Sequence, residues 1–451
     1  MSRQAKAYRT SAAERKPLGA EADRAERRRQ ERQAERARAV ALTTEALSEI
    51  VTLGVSAYLQ EVGLRGATMA LEDEATALCG PKGKHDPERE AVRYGHVDTS
   101  VALMGRRVSL RRPRVRRADG TAEVGLETLG ALTEADAEIA RVVQALALGG
   151  VSQRGYAPVL AALGGETVGA RREVYGESAA TVNRYFVSAT TRVVKEFEER
   201  RLDGDAYRVL FMDGIGYGEH LVVVVMGVRQ DGQKEVLGLR EGSTENADLC
   251  VALLEDLVKR GLDPAVKRLA VIDGGKGMHA AIGHVFKGTV KVQRCESHKS
   301  RNVLEALPES ERGWVKRELV AAWRNSDADR GEQRLRVFAN RLEMEGYKKA
   351  AASVREGLEE TLTVGRLGLN RKLMRLLSTT NAIESSFSTV ARVARRVTHW
   401  QSGDMVMRWV AAGLRLAEGS FRRTLTAEDV ATLARLLDGQ EGKADTAVCA
   451  A

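Results

Sequence analysis

The apolar positions of this chain change period more than once. From Leu42 to about Thr76 they recur at helical spacing (Leu47, Ile50, Val51, Val55, Leu59), which predicts helices. The stretch GPKGKHDPERE, residues 80–90, breaks that pattern with Gly and Pro and predicts a loop. Residues 97–117 alternate (Val101, Leu103, then Val108, Leu110) and predict one hairpin with its arginines on the exposed face. Residues 132–198 return to helical spacing.

At Tyr207 short apolar runs take over. YRVLFMD ends in an acid, and GEHLVVVVMGV and KEVLGLRE follow at hairpin spacing. ENADLCVALLEDLVKRG predicts a helix, RLAVIDGG a buried strand ending in an acid, KGMHAAIGHVF a helix, VKVQRC a strand and HKSRNVLEAL a helix. The resulting order, β-β-β-α-β-α-β-α, is an antiparallel meander joined to parallel crossovers. It is the order of an RNase H-like α/β core. No proline follows Pro308, and residues 309–365 carry charged, amphipathic helical patterns. That segment is too long for a loop inside a compact core, so it predicts a helical subdomain inserted into it. STTNAIESSFSTVARVARR predicts a helix that Ser378, Thr379 or Thr380 can cap, with Glu384 about a turn inside. LTAEDVATLARLL adds one more.

Length and composition limit the reading. The 451 residues suggest two to four domains at roughly 100–200 residues each. With 43% hydrophobic and 29% charged residues the chain is globular, and 4% aromatics leave a core of Leu, Val, Ile and Ala. None of the cysteines (Cys79, Cys250, Cys295, Cys449) forms a CxxC pair, which excludes a disulfide framework and a four-cysteine zinc site. No apolar run approaches the roughly 18 residues of a membrane span, and the N-terminal stretch has no apolar segment behind its charges. A cytoplasmic protein with no membrane partner is expected.

The net charge of +9 is concentrated. Residues 1–40 contribute a net +6, and RRVSLRRPRVRR, residues 106–117, holds seven arginines and no acid. A basic arm and a basic segment on a near-neutral body point to a nucleic-acid partner. Arg111, Arg112 and Arg114 are candidate DNA contacts. Gly176-Glu177-Ser178 predicts a turn and helix cap, followed by a short helix bearing Thr181, Val182, Arg184 and Tyr185. This resembles the second half of a helix-turn-helix, which makes Thr181 and Arg184 candidate contacts too. The expected organisation is therefore a basic, disordered arm (1–40), an N-terminal helical region with the Arg-rich hairpin (41–130) and a helix-turn-helix-like region (131–200). The core follows in two parts (201–308 and 366–435) around the helical insertion (309–365), with a tail over 436–451.

Two predicted strands end in aspartate, FMDG (Asp213) and VIDGG (Asp273). If these strands are adjacent, their carboxylates enter one small space at the sheet's C-terminal end, where open α/β sheets put their sites. Carboxylates so close repel unless a cation neutralises them or one takes a proton. Oxygen ligands on rigid strand ends suit Mg²⁺ or Mn²⁺, and two ions could serve a phosphodiester displacement. Glu384 is the best third ligand, although spacing alone leaves Glu356, Glu359 and Glu360 open. VIDGGKGMH lacks the phosphate-loop spacing, so ATP is not expected.

Taken in order, FMDGIGYGEH, EVLGLREGSTENA, VIDGGKGM, QRCESHKSRNVLEALP and STTNAIESSFSTVARVARR resemble Mutator-type DDE transposases of bacterial insertion sequences. The resemblance runs from about residue 40 to 420. Asp213 and Asp273 are 60 positions apart, and Glu384 follows after 111 more, an interval that fits the family's helical insertion. The resemblance implies that Asp213, Asp273 and Glu384 form a metal-binding catalytic triad. It implies that Cys295 and His298 are the family's CxxH element, here enclosing Glu296-Ser297 where variants often carry an aromatic. The pair supplies only two ligands at metal spacing, so zinc is not expected. His298, with Cys295, Arg294, Lys299 and Arg301 around it, is expected to hold the scissile phosphate or the strand beside it. Arg392, two turns past Glu384, is expected on the DNA backbone, and Trp400 on an unpaired base.

The implied function is a transposase that binds terminal inverted repeats in double-stranded DNA, cuts a strand and joins it to target DNA. It would act as a homodimer or larger assembly near the bacterial nucleoid. The alternatives are a catalytically silent, transposase-derived DNA-binding protein and an RNase H-like structure-selective nuclease. A tyrosine recombinase is disfavoured, because the last tyrosine, Tyr347, lies in the insertion.

Overall fold

The computed structural model describes residues 55–84, 89–103, 106–133, 136–159, 174–175, 178–204, 206–244 and 246–439. The basic arm, the start of the first helical stretch, residues 160–173 of the helix-turn-helix-like region and most of the tail lie outside the described residues. The contacts divide the chain into two units. One holds the described residues before Ile139 with residues 157–159 and 174–175; the other holds Ile139–Tyr156 and the described residues from 178 onward. No helix among the described residues is long and apolar enough to cross a membrane.

In the first unit a helix, α1 (Val55–Cys79), covers the hairpin of β1 (Ala91–Leu103) and β2 (Arg106–Arg117). Leu64, Leu71, Ala75 and Cys79 form one buried helical stripe against Val101, Val108, Leu110 and Val115. Between Arg93 and His96 the register shifts, and Gly95 takes a φ of 79° at that bulge. Short β3 (Glu123–Val124) and β4 (Val174–Tyr175) both pair with β2 on the edge away from β1, and α2 (Glu127–Thr133) follows β3. The expected hairpin is present and starts six residues earlier than the alternation predicts.

The second unit begins in α3 (Asp136–Leu148), with a 3₁₀ turn at Gln153–Gly155, and continues in α4 (Ala179–Glu199). Ser178 caps α4, its Oγ accepting the Thr181 N–H at 3.3 Å. The cap is where the sequence predicts it, but the helix runs for 21 residues. Val182, Phe186, Val193 and Phe197 are buried along its length, because they repeat at helical spacing and face the core. This corrects the expectation of a short helix after the cap.

A mixed five-stranded sheet follows, from β5 (Tyr207–Tyr217), β6 (His220–Arg229), β7 (Lys234–Gly242), β8 (Arg268–Ile272) and β9 (Val290–Arg294), in the order β7-β6-β5-β8-β9. The meander β5-β6-β7 is antiparallel, whereas β8 and β9 run parallel to β5 through α5 (Ala247–Lys259) and α6 (Lys276–Phe286). Strand alternation splits the core in two. Leu210, Met212, Ala270 and Ile272 meet α5 and α6, while Val209, Phe211, Leu269 and Val271 face the other way.

After α7 (Glu296–Glu305) comes a helical subdomain with its own core, made of α8 (Glu309–Trp323), α9 (Ala328–Met344), α10 (Lys348–Arg355) and a 3₁₀ turn (Glu359–Leu362); α11 (Thr363–Arg366) follows and buries Val364 in the core of the sheet. The chain then returns through α12 (Arg371–Leu377), α13 (Asn381–Ala394), α14 (Gly403–Glu418) and α15 (Ala427–Asp438). Ile383 and Val390 of α13 and Val410 and Leu414 of α14 cover the Val209–Phe211 face of the sheet.

Candidate active site

The last residues paired between parallel β5 and β8 are Met212 and Ile272. Asp213 and Asp273 are the next residue on each strand. By alternation they share the face of Phe211 and Val271, the one that α13 covers. Each carboxylate is steadied by the chain that follows it: Gly214 N–H donates to Asp213 Oδ1 at 2.9 Å, and Gly275 N–H to Asp273 Oδ1 at 2.8 Å. Asp213 is buried, and burial pushes its carboxyl up to about 6. The charge of His298 opposes that rise, while those of Asp273 and Glu384 add to it.

Glu384 sits in the first turn of α13. Thr380 Oγ1 donates to Glu384 Oε1 at 2.9 Å and lies 3.3 Å from both His298 Nδ1 and Cys295 Sγ. Thr380 N–H and His298 N–H also donate to that sulfur, at 3.3 and 3.5 Å. Cys295 Sγ, a His298 ring nitrogen and a Glu384 oxygen all lie within 4.8 Å of one another. The neighbouring sulfur holds the His298 imidazole up to about 9 against the effect of burial, and the Asp213 and Glu384 carboxylates reinforce it. Burial alone would push the Cys295 thiol up, but hydrogen bonds from His298 and Thr380 outweigh it and hold the thiol below its usual range. Thr380, which the sequence offers only as one of three helix caps, thus joins Glu384, His298 and Cys295 in one cluster. Its position four residues before Glu384, one helical turn, was the available signal.

The other acids that spacing allows as a third ligand are engaged elsewhere. Glu356 pairs with Arg294 at 3.2 Å and Lys299 at 3.5 Å, Glu359 with Arg336 at 2.9 Å, and Glu360 with His279 at 2.9 Å.

The segment QRCESHK, residues 293–299, ties two pieces of the chain to the sheet. Gln293 donates to Thr361 O at 2.9 Å and accepts from Val364 N–H at 2.9 Å, both in the insertion. Lys299 Nζ, buried, donates to Ser353 O and Glu356 O at 2.7 Å each. Glu296, also buried, takes both arms of the Arg324 guanidinium at 3.0 and 2.7 Å. Arg294 is buried, reaches Glu356 O at 3.1 Å, and is wedged against Gly274 and Gly357, where a Cβ would collide with its guanidinium. Both glycines have positive φ, 99° and 59°. Arg294 and Lys299, expected on DNA, are thus turned inward and hold the insertion. Cys295 and His298 face α13 instead, and Arg301 is exposed.

Arg392 is exposed on α13. Trp400 is half-buried with its ring centroid 4.7 Å from that of Tyr217, a packing role in place of the expected free stacking surface. Arg184 is exposed and donates to Thr181 Oγ1 at 3.0 Å. In the first unit Arg111 is exposed, while Arg112 and Arg114 are half-buried and share Glu123 at 3.4 and 2.8 Å. Arg114 and Arg116 also lie over the ring of Tyr94, which is 53% exposed.

The family model described as "Transposase, Mutator family" matches residues 20–423. The transposase for insertion sequence element IS6120 of Mycolicibacterium smegmatis is 31% identical over 266 residues, 58% of this chain and 78% of that one. The transposase for element IST2 of Acidithiobacillus ferrooxidans is 33% identical over 169 residues, 38% of this chain and 55% of that one. The transposase for element ISRM3 of Rhizobium meliloti is 30% identical over 269 residues, 57% and 65% of the two chains.

Proposed function

The chain belongs to the Mutator family of transposases, and from that premise we propose that it cuts and joins DNA strands at Asp213, Asp273 and Glu384 on an RNase H-like core. The observation that carries the reading is the neighbourhood of the three acids. Asp213 and Asp273 each follow the paired residues Met212 and Ile272, on the face covered by the helix that bears Glu384. The strand order β7-β6-β5-β8-β9 supports the fold assignment.

Three carboxylates supply the hard oxygen donors that a divalent cation takes. A buried carboxyl raised to about 6, with two further carboxylates acting on it, is the arrangement a cation relieves. Asp213, Asp273 and Glu384 would hold Mg²⁺ or Mn²⁺ through oxygen, probing a hard ion in preference to a soft one. When bound, such ions, one or two, lower the pKa of an attacking water or 3′-hydroxyl and neutralise charge at the leaving oxygen. The chain's own groups do the rest. The imidazolium of His298 adds a fixed positive charge beside Glu384 for the phosphate, and Thr380 fixes the Glu384 carboxylate. Hydrolysis at the element's end leaves a 3′-hydroxyl. That hydroxyl attacks a target phosphodiester, one P–O bond forming as another breaks, so ATP is not required. Terminal inverted repeats and target DNA are the partners, and pairing two ends calls for a homodimer or larger assembly.

The test is Mg²⁺- or Mn²⁺-dependent cleavage and joining of an oligonucleotide bearing the element's own end. Wild type is compared with Asp213→Asn, Asp273→Asn and Glu384→Gln, each checked for DNA binding. Variants that bind but neither cut nor join support the reading. Normal cutting by Glu384→Gln removes Glu384 from the triad, and a wild type that binds yet never cuts makes the protein a silent DNA binder.

A further inference from the structure

The second unit contains a pocket of about 940 Å³ that the triad does not use. Four elements line it: the end of α3 with the 3₁₀ turn after it, the first turns of α4, the segment leaving α13, and the start of α14. Its charge is of one sign. Arg154, Arg396, Arg408 and His399 line it, and its lining holds no carboxylate. Among the described residues, none of the three arginines has a carboxylate partner, although most arginines of the insertion do. Its floor is apolar: Tyr156 and Phe186 are buried there, and half-buried Trp409 stands 4.7 Å, centroid to centroid, from Phe186. Amide groups occupy the rim between, where Gln153 Nε2 donates to Asn183 Oδ1 at 2.7 Å.

We propose that this pocket binds a single-stranded segment of DNA, phosphates on the arginines and an unpaired base over the Trp409 floor; the proposal deepens the transposase reading and rests on it. A duplex offers phosphates but keeps its bases stacked inside, so it cannot use an apolar floor set below a cationic rim. An unpaired nucleotide uses both, since each base has a π-face and each nucleotide one anionic phosphate. A small anion would leave the floor unused, and an apolar ligand would leave three cations unpaired. The position also suits a strand held at the triad. Glu384 and pocket-lining Val393 share α13, nine positions apart, which is about 14 Å at roughly 1.5 Å per residue. A stacked strand covers that distance in about four nucleotides at roughly 3.4 Å each.

The experiment measures binding of the full chain to a fluorescein-labelled oligothymidylate and to a blunt duplex of equal length, in EDTA, by anisotropy over a salt series. Arg396→Ala with Arg408→Ala should weaken oligothymidylate binding by about tenfold or more and leave duplex binding within about threefold. The loss of two phosphate contacts should flatten the single-strand salt slope by about 1.4. The paired Arg→Lys variant should recover most of that slope, which a folding defect would not allow. Wild type that ignores oligothymidylate, or a double Ala variant with unchanged affinity and slope, overturns the proposal. Equal loss on strand and duplex overturns it too, assigning the arginines to general backbone contact. The readout needs no chemistry. A wild type that binds the strand but never cleaves keeps the pocket and removes the transposase reading; one that cleaves while the double variant binds normally does the reverse.

Discussion

His298 Nε2 lies 3.7 Å from Glu384 Oε1, so an imidazole held up to about 9 faces a carboxylate of the proposed triad. The imidazole therefore stays charged through neutral pH and loses its proton only near pH 9. Wild-type cleavage should fall above about pH 9, and His298→Gln should remove that alkaline limb while slowing cleavage about 10- to 100-fold, as loss of a group supporting a metal ligand does. A wild-type rate that stays flat between about pH 8 and 10 contradicts this role. The same shift has a stability sign. Because the folded value exceeds the unfolded one, near 6.5, the contribution is complete below about 6.5 and disappears as pH rises through about 9.

Asp213 has the opposite consequence at neutral pH. Its carboxyl is raised from 3.8 to about 6 by burial, so ionising it costs folding free energy as pH climbs through that window. Without metal, Asp213→Asn should be more stable than wild type at pH 7, by at most about 3 kcal/mol from roughly 1.36 kcal/mol per pKa unit. Adding Mn²⁺ should raise the wild-type melting temperature and raise that of the variant much less, since binding stabilises only a state that holds the ion. Differential scanning fluorimetry with and without Mn²⁺ reads both effects. A less stable metal-free variant would mean that Asp213 is not strained by burial.

Thr380 carries a separate prediction, because one hydroxyl touches Glu384, His298 and Cys295. Thr380→Val keeps the shape and removes the hydrogen bonds. It should lower cleavage by about 10- to 100-fold without loss of DNA binding. Thr380→Ser should recover most of the rate. If the valine variant cleaves normally, Glu384 needs no support from this side chain.

Much of the core could be read from the chain because its signals are local. Two apolar runs ending in Asp213 and Asp273, with a meander and a helix between them, predict strands by their period, and the pairing of β5 with β8 makes them neighbours. The helix carrying Glu384 could be read from its apolar stripe and the Ser-Thr-Thr before it. What could not be read is set by distant contacts. The inward turn of Arg294 and Lys299 depends on backbone oxygens of residues 353 and 356, more than fifty positions away. A basic side chain beside a site looks the same in sequence whether it meets phosphate or a carbonyl. Likewise the cap and first turn of α4 are local signals, whereas its length follows from Val193 and Phe197 meeting the sheet.

The inward turn of these residues leads to the last prediction. If the 293–299 segment binds DNA, removing its charges should weaken binding and flatten the salt dependence by roughly 0.7–0.9 per contact. If it ties down the insertion, the loss should appear as stability. Arg324→Ala is the cleaner variant, since it leaves the segment intact and strips buried Glu296 of a bidentate partner. A buried charge left unpaired costs roughly 3–5 kcal/mol, and water at the 38%-exposed Arg324 side should hold the loss near the lower end. We expect urea unfolding to register that loss while the salt slope of DNA binding is unchanged. Cleavage should fall as well, because Glu296 N–H donates to Ser378 O, two residues before Thr380, so loosening the segment loosens the Glu384 helix. Unaltered stability with a shallower salt slope would return this segment to the DNA-binding surface.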